Sequence, residues 1–265
     1  MSYFNFSYII IFLFTSINIF SDVPLSQKEK TISSLDFPIQ PAKAILSKYV
    51  KDKELANCIT IDSQKIHWRN RYKKIGIKYF SSTELEDLVV TVNSEGLLTY
   101  KGIPLVVGSY SYILSKEGKL LAFLRKTPQG KNINTELTKW FKQKIIEDSS
   151  LFIDVSTKEP LFYKVVCKHS SLSHGDNVLA VGDFQIDTEG VPFFFDNSSG
   201  HYRLKSISMK NLAYYLHTSG VKDTRFYLFY KNEEKKIRKR ESTLLEVLNA
   251  PDDSPLFNAQ DLLCN

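Results

Sequence analysis

Cysteine is scarce in this chain: Cys58, Cys167 and Cys264 are the whole supply among 265 residues. Three is an odd number and no two of them form a CxxC pair, so they define neither a zinc site nor a disulfide framework. One bridge or three free buried thiols both fit the spacing, free thiols being the plainer reading. Also missing are a Gly-rich phosphate loop, an HExxH pair and a GxSxG elbow. Nucleotide hydrolysis, zinc proteolysis and the α/β-hydrolase class therefore have no support, and neither a metal nor a cofactor is assigned. No repeat period is visible.

Charge of one sign is concentrated in a single place. Lys+Arg number 35 against 29 Asp+Glu, a net +6. The ten residues from Lys231 to Arg240 hold six bases and two acids, so they carry +4 of that total. A nucleic-acid binder spreads its bases along a groove to displace many counterions, so no nucleic-acid partner is expected. The basic stretch reads as a solvated helix or linker, with a membrane-surface or partner-binding segment as the alternative. A hydrophobic fraction of 43% excludes a disordered or collagen-like polymer.

From Tyr3 to Phe20 the N-terminus carries no charge, with an apolar core Tyr8–Phe14 closed by Asp22, Val23 and Pro24. It reads as a signal-peptide h-region cleaved after Ser21, which implies a secreted or periplasmic protein. The n-region lacks Lys and Arg, and Ile19 sits where a small residue is expected. An uncleaved membrane anchor over residues 3–20 is therefore the alternative, about 18 residues being the lower limit for a span.

Beyond a polar stretch, Ala42, Ile45, Leu46, Tyr49 and Val50 recur at helical spacing behind Pro41. Short strand-like runs follow: Leu88–Val92, Leu97–Tyr100, Tyr110–Leu114 and Leu120–Leu124, separated by Ser-Glu-Gly, Lys-Gly and Lys-Glu-Gly turn signals. Leu137, Trp140, Phe141 and Ile145 mark a second helix, with Asn134 or Thr135 as its cap. Strands resume at Leu151–Val155, Leu161–Cys167, Val178–Ile186 and Val191–Phe195. A third helix carries Met209, Leu212, Ala213 and Leu216, with Ser208 as cap and Gly220 as stop. Arg225–Tyr230 is the last strand. The pattern predicts an α+β fold, a mostly antiparallel sheet with a few packing helices in a single domain. The expected organisation is a leader or anchor over 1–21, a linker and helix over 22–70, the core domain over 71–230 and a basic C-terminal tail over 231–265.

Two polar clusters interrupt the apolar strands. One is His169-Ser170-Ser171-Leu172 with His174 and Gly175 behind it; the other runs from Asp196 through Asn197, Ser198, Ser199, Gly200 and His201 to Tyr202. Each follows a strand immediately, which is how rigid supports present reactive or ligand-binding groups. Turn and cap chemistry is the competing explanation. Val178–Ile186 and Val191–Phe195 form a hairpin around Thr188-Glu189-Gly190, and a hairpin returns the chain to the edge it left, so the clusters are expected to face one another.

With Val89–Asn93, Gly96-Leu97-Leu98, Lys101-Gly102, Tyr112–Leu114 and Gly118–Leu120, the HSSL and SGHY motifs resemble the core domain of plant IQ-motif calmodulin-binding proteins and related domains of bacterial secreted toxins and effectors. The resemblance covers roughly Leu88 to Tyr230 and implies a fold and a candidate pocket rather than a reaction. Leu172-Ser173-His174-Gly175 replaces that family's Phe-Leu-Ala-Gly, only Gly182 of its Ala-Ala-Gly strand is kept, and no proline closely follows Tyr202. The IQ motif itself is missing from IRKRESTLLEVL, so calmodulin is not an expected partner.

Two functions are expected in turn. The first is an exported, effector-like binding module in which His174, Asp183, Asn197, Ser199, Gly200 and His201 help line a pocket for a small polar ligand or a protein partner. The second is an enzyme in which His169 acts as general base on Ser170, Ser171 or a substrate hydroxyl, with His201 or Asp183 orienting it. Its sharpest form is ADP-ribosyl transfer, because His169 and Tyr202 loosely resemble the His and Tyr of the His-Tyr-Glu transferases, with Glu241 or Glu246 as the acid.

Overall fold

Period-two alternation in the middle of the chain builds the sheet that it predicts. The computed structural model describes residues 59–61, 64–68, 75–147, 164–199, 202, 206–221, 224–231 and 237–257. In chain order the elements are β1 (Ile59–Ile61), β2 (Gln64–Trp68), β3 (Ile75–Tyr79), α1 (Ser82–Asp87), β4 (Val89–Val92), β5 (Leu98–Tyr100), β6 (Ile103–Pro104), β7 (Gly108–Ser115) and β8 (Leu120–Lys126). They continue with α2 (Ile133–Glu147), β9 (Lys164–Val166), α3 (His169–Ser173), β10 (Val178–Ile186), β11 (Pro192–Asp196), α4 (Met209–Ser219), β12 (Arg225–Lys231), β13 (Ile237–Thr243) and α5 (Leu244–Asn249).

Nine strands form one sheet in the order β13-β12-β11-β10-β7-β8-β4-β5-β6, antiparallel except for the β11–β12 pair. A smaller sheet, β1-β2-β3-β9, has one parallel pair, β3–β9. The class is α+β with the sheet dominant, in a single domain.

The large sheet has two different faces. Tyr110, Tyr112, Leu114, Ala122, Ala180, Phe184 and Phe195 point toward α4 and α5 and form the main core with Met209, Leu212, Leu216, Leu244 and Val247. Tyr110 stacks on Phe184 at 4.9 Å, and the Tyr112 and Phe195 rings meet edge to face at 5.7 Å. Two side chains of α4 reach strand carbonyls that would otherwise lose water: Asn211 donates to Leu179 and Tyr215 to Val90. Gly220 ends α4 in the left-handed region, φ 98°, where glycine alone is unstrained.

The opposite face carries Ser111, Ile113, Leu121, Phe123, Val181 and Asp183, set by the register in which Asp183 lies beside Ser111 and Ser111 beside Phe123. The short helix α3 covers that face, and the site is built there.

Several expectations need correcting. The stretch expected as a basic tail contains β13 and α5: β13 pairs with β12 over Arg225–Lys231, and Leu244, Val247 and Phe257 are buried in the main core. Its bases lie along β12 rather than on a free linker, with Lys239 over the Tyr227 ring at 3.8 Å and Arg240 over Tyr230 at 5.3 Å. Strands β1 and β2 fall within the span read as linker and helix. Asn132, not Asn134 or Thr135, caps α2 by accepting from the Asn134 N–H at 2.9 Å. Ser208 precedes α4, but its hydroxyl makes no cap bond. The leader, the helix behind Pro41, the Leu151–Val155 strand, Cys58 and Cys264 lie outside the described residues.

Candidate functional site

α3 begins where β9 ends, and Asn134 of α2 fixes that junction. Its side-chain oxygen accepts from the Cys167 N–H at 2.6 Å while its amide donates to the Cys167 carbonyl. The Cys167 thiol itself is free, buried and pushed up to about 12 by desolvation, which leaves it inert. Ser171 reaches back to accept from the Lys168 N–H at 2.8 Å, closing the first turn. His174 and Gly175 stop the helix in the left-handed region at φ 53° and 84°. The His174 conformation is costly for a side-chain-bearing residue. It is held by Nε2 donating to the Phe80 carbonyl at 2.6 Å and by ring contact with Tyr79.

His169 is the centre of the polar network. Its side chain is 10% exposed and lies between the sheet and the loop that follows β11. Nε2 is 2.9 Å from the Gly182 carbonyl. A carbonyl only accepts, so Nε2 carries the proton, and in the neutral ring Nδ1 holds the lone pair. Ser199 Oγ is 3.1 Å from Nδ1, which makes the serine hydroxyl the donor in that contact. The Ser199 oxygen in turn accepts from the Tyr202 N–H at 3.1 Å.

On the other side of the ring Asp183 Oδ1 is 3.5 Å from Nε2. Asp183 also accepts from Ser111 Oγ and from Arg125, each at 2.6 Å. Desolvation alone would raise this carboxyl, but hydrogen bonds from His169 and the Ser111 hydroxyl and the charge of Arg125 hold it below the usual range. Arg125 is the member that reaches solvent, 43% exposed against 13% for Asp183.

The hairpin brings the two clusters together as expected, though not at the start of β10. β10 is longer than β11, and the register pairs Phe184 with Phe195, so the end of β11 lies beside Gly182 in mid-strand. Gly182 permits this approach, since a Cβ there would fall on the Asp196 carbonyl. Asp196 is buried, accepts from the Asp183 and Ser198 N–H groups at 2.8 and 2.9 Å, and is pushed up to about 6 by desolvation.

Other expected site residues have structural duties. The Asn197 side chain pairs both ways with the backbone of Phe229, extending the ladder toward β12. Tyr202 is 1% exposed, with its hydroxyl bonded to Ser173 Oγ and donating to the Asp176 carbonyl at 2.8 Å. Burial pushes that phenol up to about 12. Ser170 is buried and its hydroxyl has no partner among the described residues. Gly200 and His201 lie outside the described residues.

A cavity of about 400 Å³ opens at the C-terminal end of α3, between α1 and the β7–β8 turn. Its floor is apolar, from Leu85, Val89, Ile113, Leu121, Leu172 and Val178, and its rim carries Glu86, Lys119, His174 and Asp176. Ile113 follows Ser111 by two residues on the same face of β7, so the floor lies about 7 Å along the strand from the Asp183 network. The sequence reading missed Arg125, Ser111, Ser173 and this floor. No local pattern marks them, because register across three strands and not proximity in the chain groups them. No protein-family model matches this chain, and neither a curated protein nor a solved structure matches it.

Proposed function

We propose that this chain is an exported, effector-like binding module, and that its ligand occupies the cavity at the end of α3. The cavity carries this reading: about 400 Å³ of space with an apolar floor, under a mouth that holds charges of both signs from Glu86, Lys116, Glu117, Lys119 and Asp176, has the size of a small-molecule site. The segment directly after HSS supplies Leu172 to its floor and Ser173 and His174 to its wall, while His169, Ser170 and Ser171 do not line it, and Tyr202 of the SGHY cluster braces the wall through Ser173. The floor is apolar and the rim polar and charged, so the ligand is an amphiphile with a polar head rather than a purely polar molecule. Export rests on the apolar leader, and the effector-like character on the resemblance carried by HSSL and SGHY. The transferase form of the enzyme reading loses its footing at Tyr202, whose buried ring has no face open to stack on a nicotinamide.

Titration with 1-anilinonaphthalene-8-sulfonate, an apolar body with one acidic head, tests the site. Saturable binding at one equivalent is expected, weakened at least tenfold by Val89→Trp, which fills the floor, with cooperative melting retained. Equal binding by both proteins, or no saturable binding to either, would overturn the proposal.

A further inference from the structure

Beside the cavity, and independent of it, the chain holds three side chains in the order of a nucleophile, a base and an orienting acid. We propose that Ser199 is a nucleophile, with His169 as its general base and Asp183 as the carboxylate that steadies the ring, and that it takes acyl groups from small carboxylic esters. The carrying observation is the direction of the two ring contacts. Nε2 faces the Gly182 carbonyl and the Asp183 carboxylate, so the lone pair at Nδ1 is turned to the Ser199 hydroxyl. A hydroxyl donating to a base that a third group orients is the arrangement that activates serine, and it is recognised by geometry and roles rather than by chain order. The ring nitrogens are used in the reverse sense to the familiar triad, which the chemistry permits because either nitrogen of imidazole can accept the proton.

The parts are held on rigid elements. Asp183 sits in mid-β10 with Ser111 and Arg125 on the two adjoining strands, and His169 opens α3. Ser199 is partly exposed while His169 is buried behind it. The Tyr202 N–H on Ser199 Oγ fixes the side chain for a donor bond to Nδ1.

In the step itself Oγ attacks the ester carbonyl carbon as its proton passes to Nδ1. The carbon–oxygen bond to the alcohol then breaks, and Nδ1 returns the proton to the leaving alkoxide. Water attacks the acyl-serine, gives a proton to Nδ1 and releases the carboxylic acid, and the proton returns to Oγ. The Asp183 carboxylate is the counter-charge to the imidazolium that exists between these transfers.

A fluorophosphonate probe reads this directly, since the activated hydroxyl displaces fluoride from phosphorus and stays covalently labelled. With the full chain, mass spectrometry is expected to find one label, on the peptide containing Ser199. Ser199→Ala abolishes it and His169→Gln slows labelling at least 100-fold, with folding of each variant checked by cooperative melting. If His169→Gln does not fold, the site of the label on the unaltered protein and its loss in Ser199→Ala still decide the matter. No label, a label on another serine, or a rate unchanged in folded His169→Gln would overturn the proposal. Each of these outcomes is separate from dye binding in the cavity, so either proposal can fail alone.

Discussion

Asp196 shows how a polar residue in this cluster is tied to folding. Its carboxyl accepts two backbone N–H bonds from Asp183 and Ser198, yet desolvation outweighs them and raises it from an ordinary 3.8 to about 6. A carboxyl raised on folding contributes its stability in the protonated form. That contribution is fully present below about pH 3.8 and is lost as pH rises through about 6. Asp196→Asn keeps the accepting oxygen and removes the ionisation. The variant is therefore expected to match the unaltered protein near pH 4 and to gain on it above pH 6, by about 2–3 kcal/mol at most. Chemical denaturation across pH 4–8 checks this, and a difference that stays flat with pH would contradict it. Asp183 moves in the opposite sense, held low by His169, Ser111 and Arg125, so its contribution is present above the unfolded value and falls away in acid. The comparison with the variant isolates the Asp196 contribution, because that of Asp183 is common to both proteins and cancels, while the acid limb of each protein's own curve reads Asp183.

At the scale of elements, β13 and α5 decide where the domain ends. Thr243 caps α5 in a capping box with Glu246, while Leu244, Val247 and Phe257 close the core over Phe226 and Leu228. A chain ending at Tyr230 would strip three buried apolar side chains and a whole strand from the sheet. It is expected to lose cooperative unfolding, since each such side chain contributes about 1.5–3 kcal/mol when buried. A cooperative melt from that shortened chain would contradict the assignment. These elements were hard to read because β13 is an edge strand with one neighbour. Only Ser242 among its residues is buried, so IRKREST shows charge and no apolar alternation. By contrast β10, buried on both faces, was legible to the residue from VLAVGDFQI, and the turn glycines Gly96, Gly118 and Gly190 placed the hairpins correctly. The meeting of HSS with SGHY was legible from hairpin geometry. The duties of Asn197 and Tyr202 were not, because their partners are backbone groups at Phe229 and Asp176 that no local pattern indicates.

Across the whole molecule the large sheet separates two jobs. One face, with its stacked aromatics against α4 and α5, supplies the core. The other carries α3, the His169 network and the cavity, and because both belong to one sheet the core fixes the site's geometry through strand register. His169 and Ser199 are the point where helix, sheet and loop meet. Their coupling is measured most directly by a double-mutant cycle of unfolding free energies on the unaltered protein, His169→Gln, Ser199→Ala and the pair. A shared site predicts an interaction energy of about 1–2 kcal/mol between the two substitutions, whereas effects that add to within about 0.3 kcal/mol would contradict it.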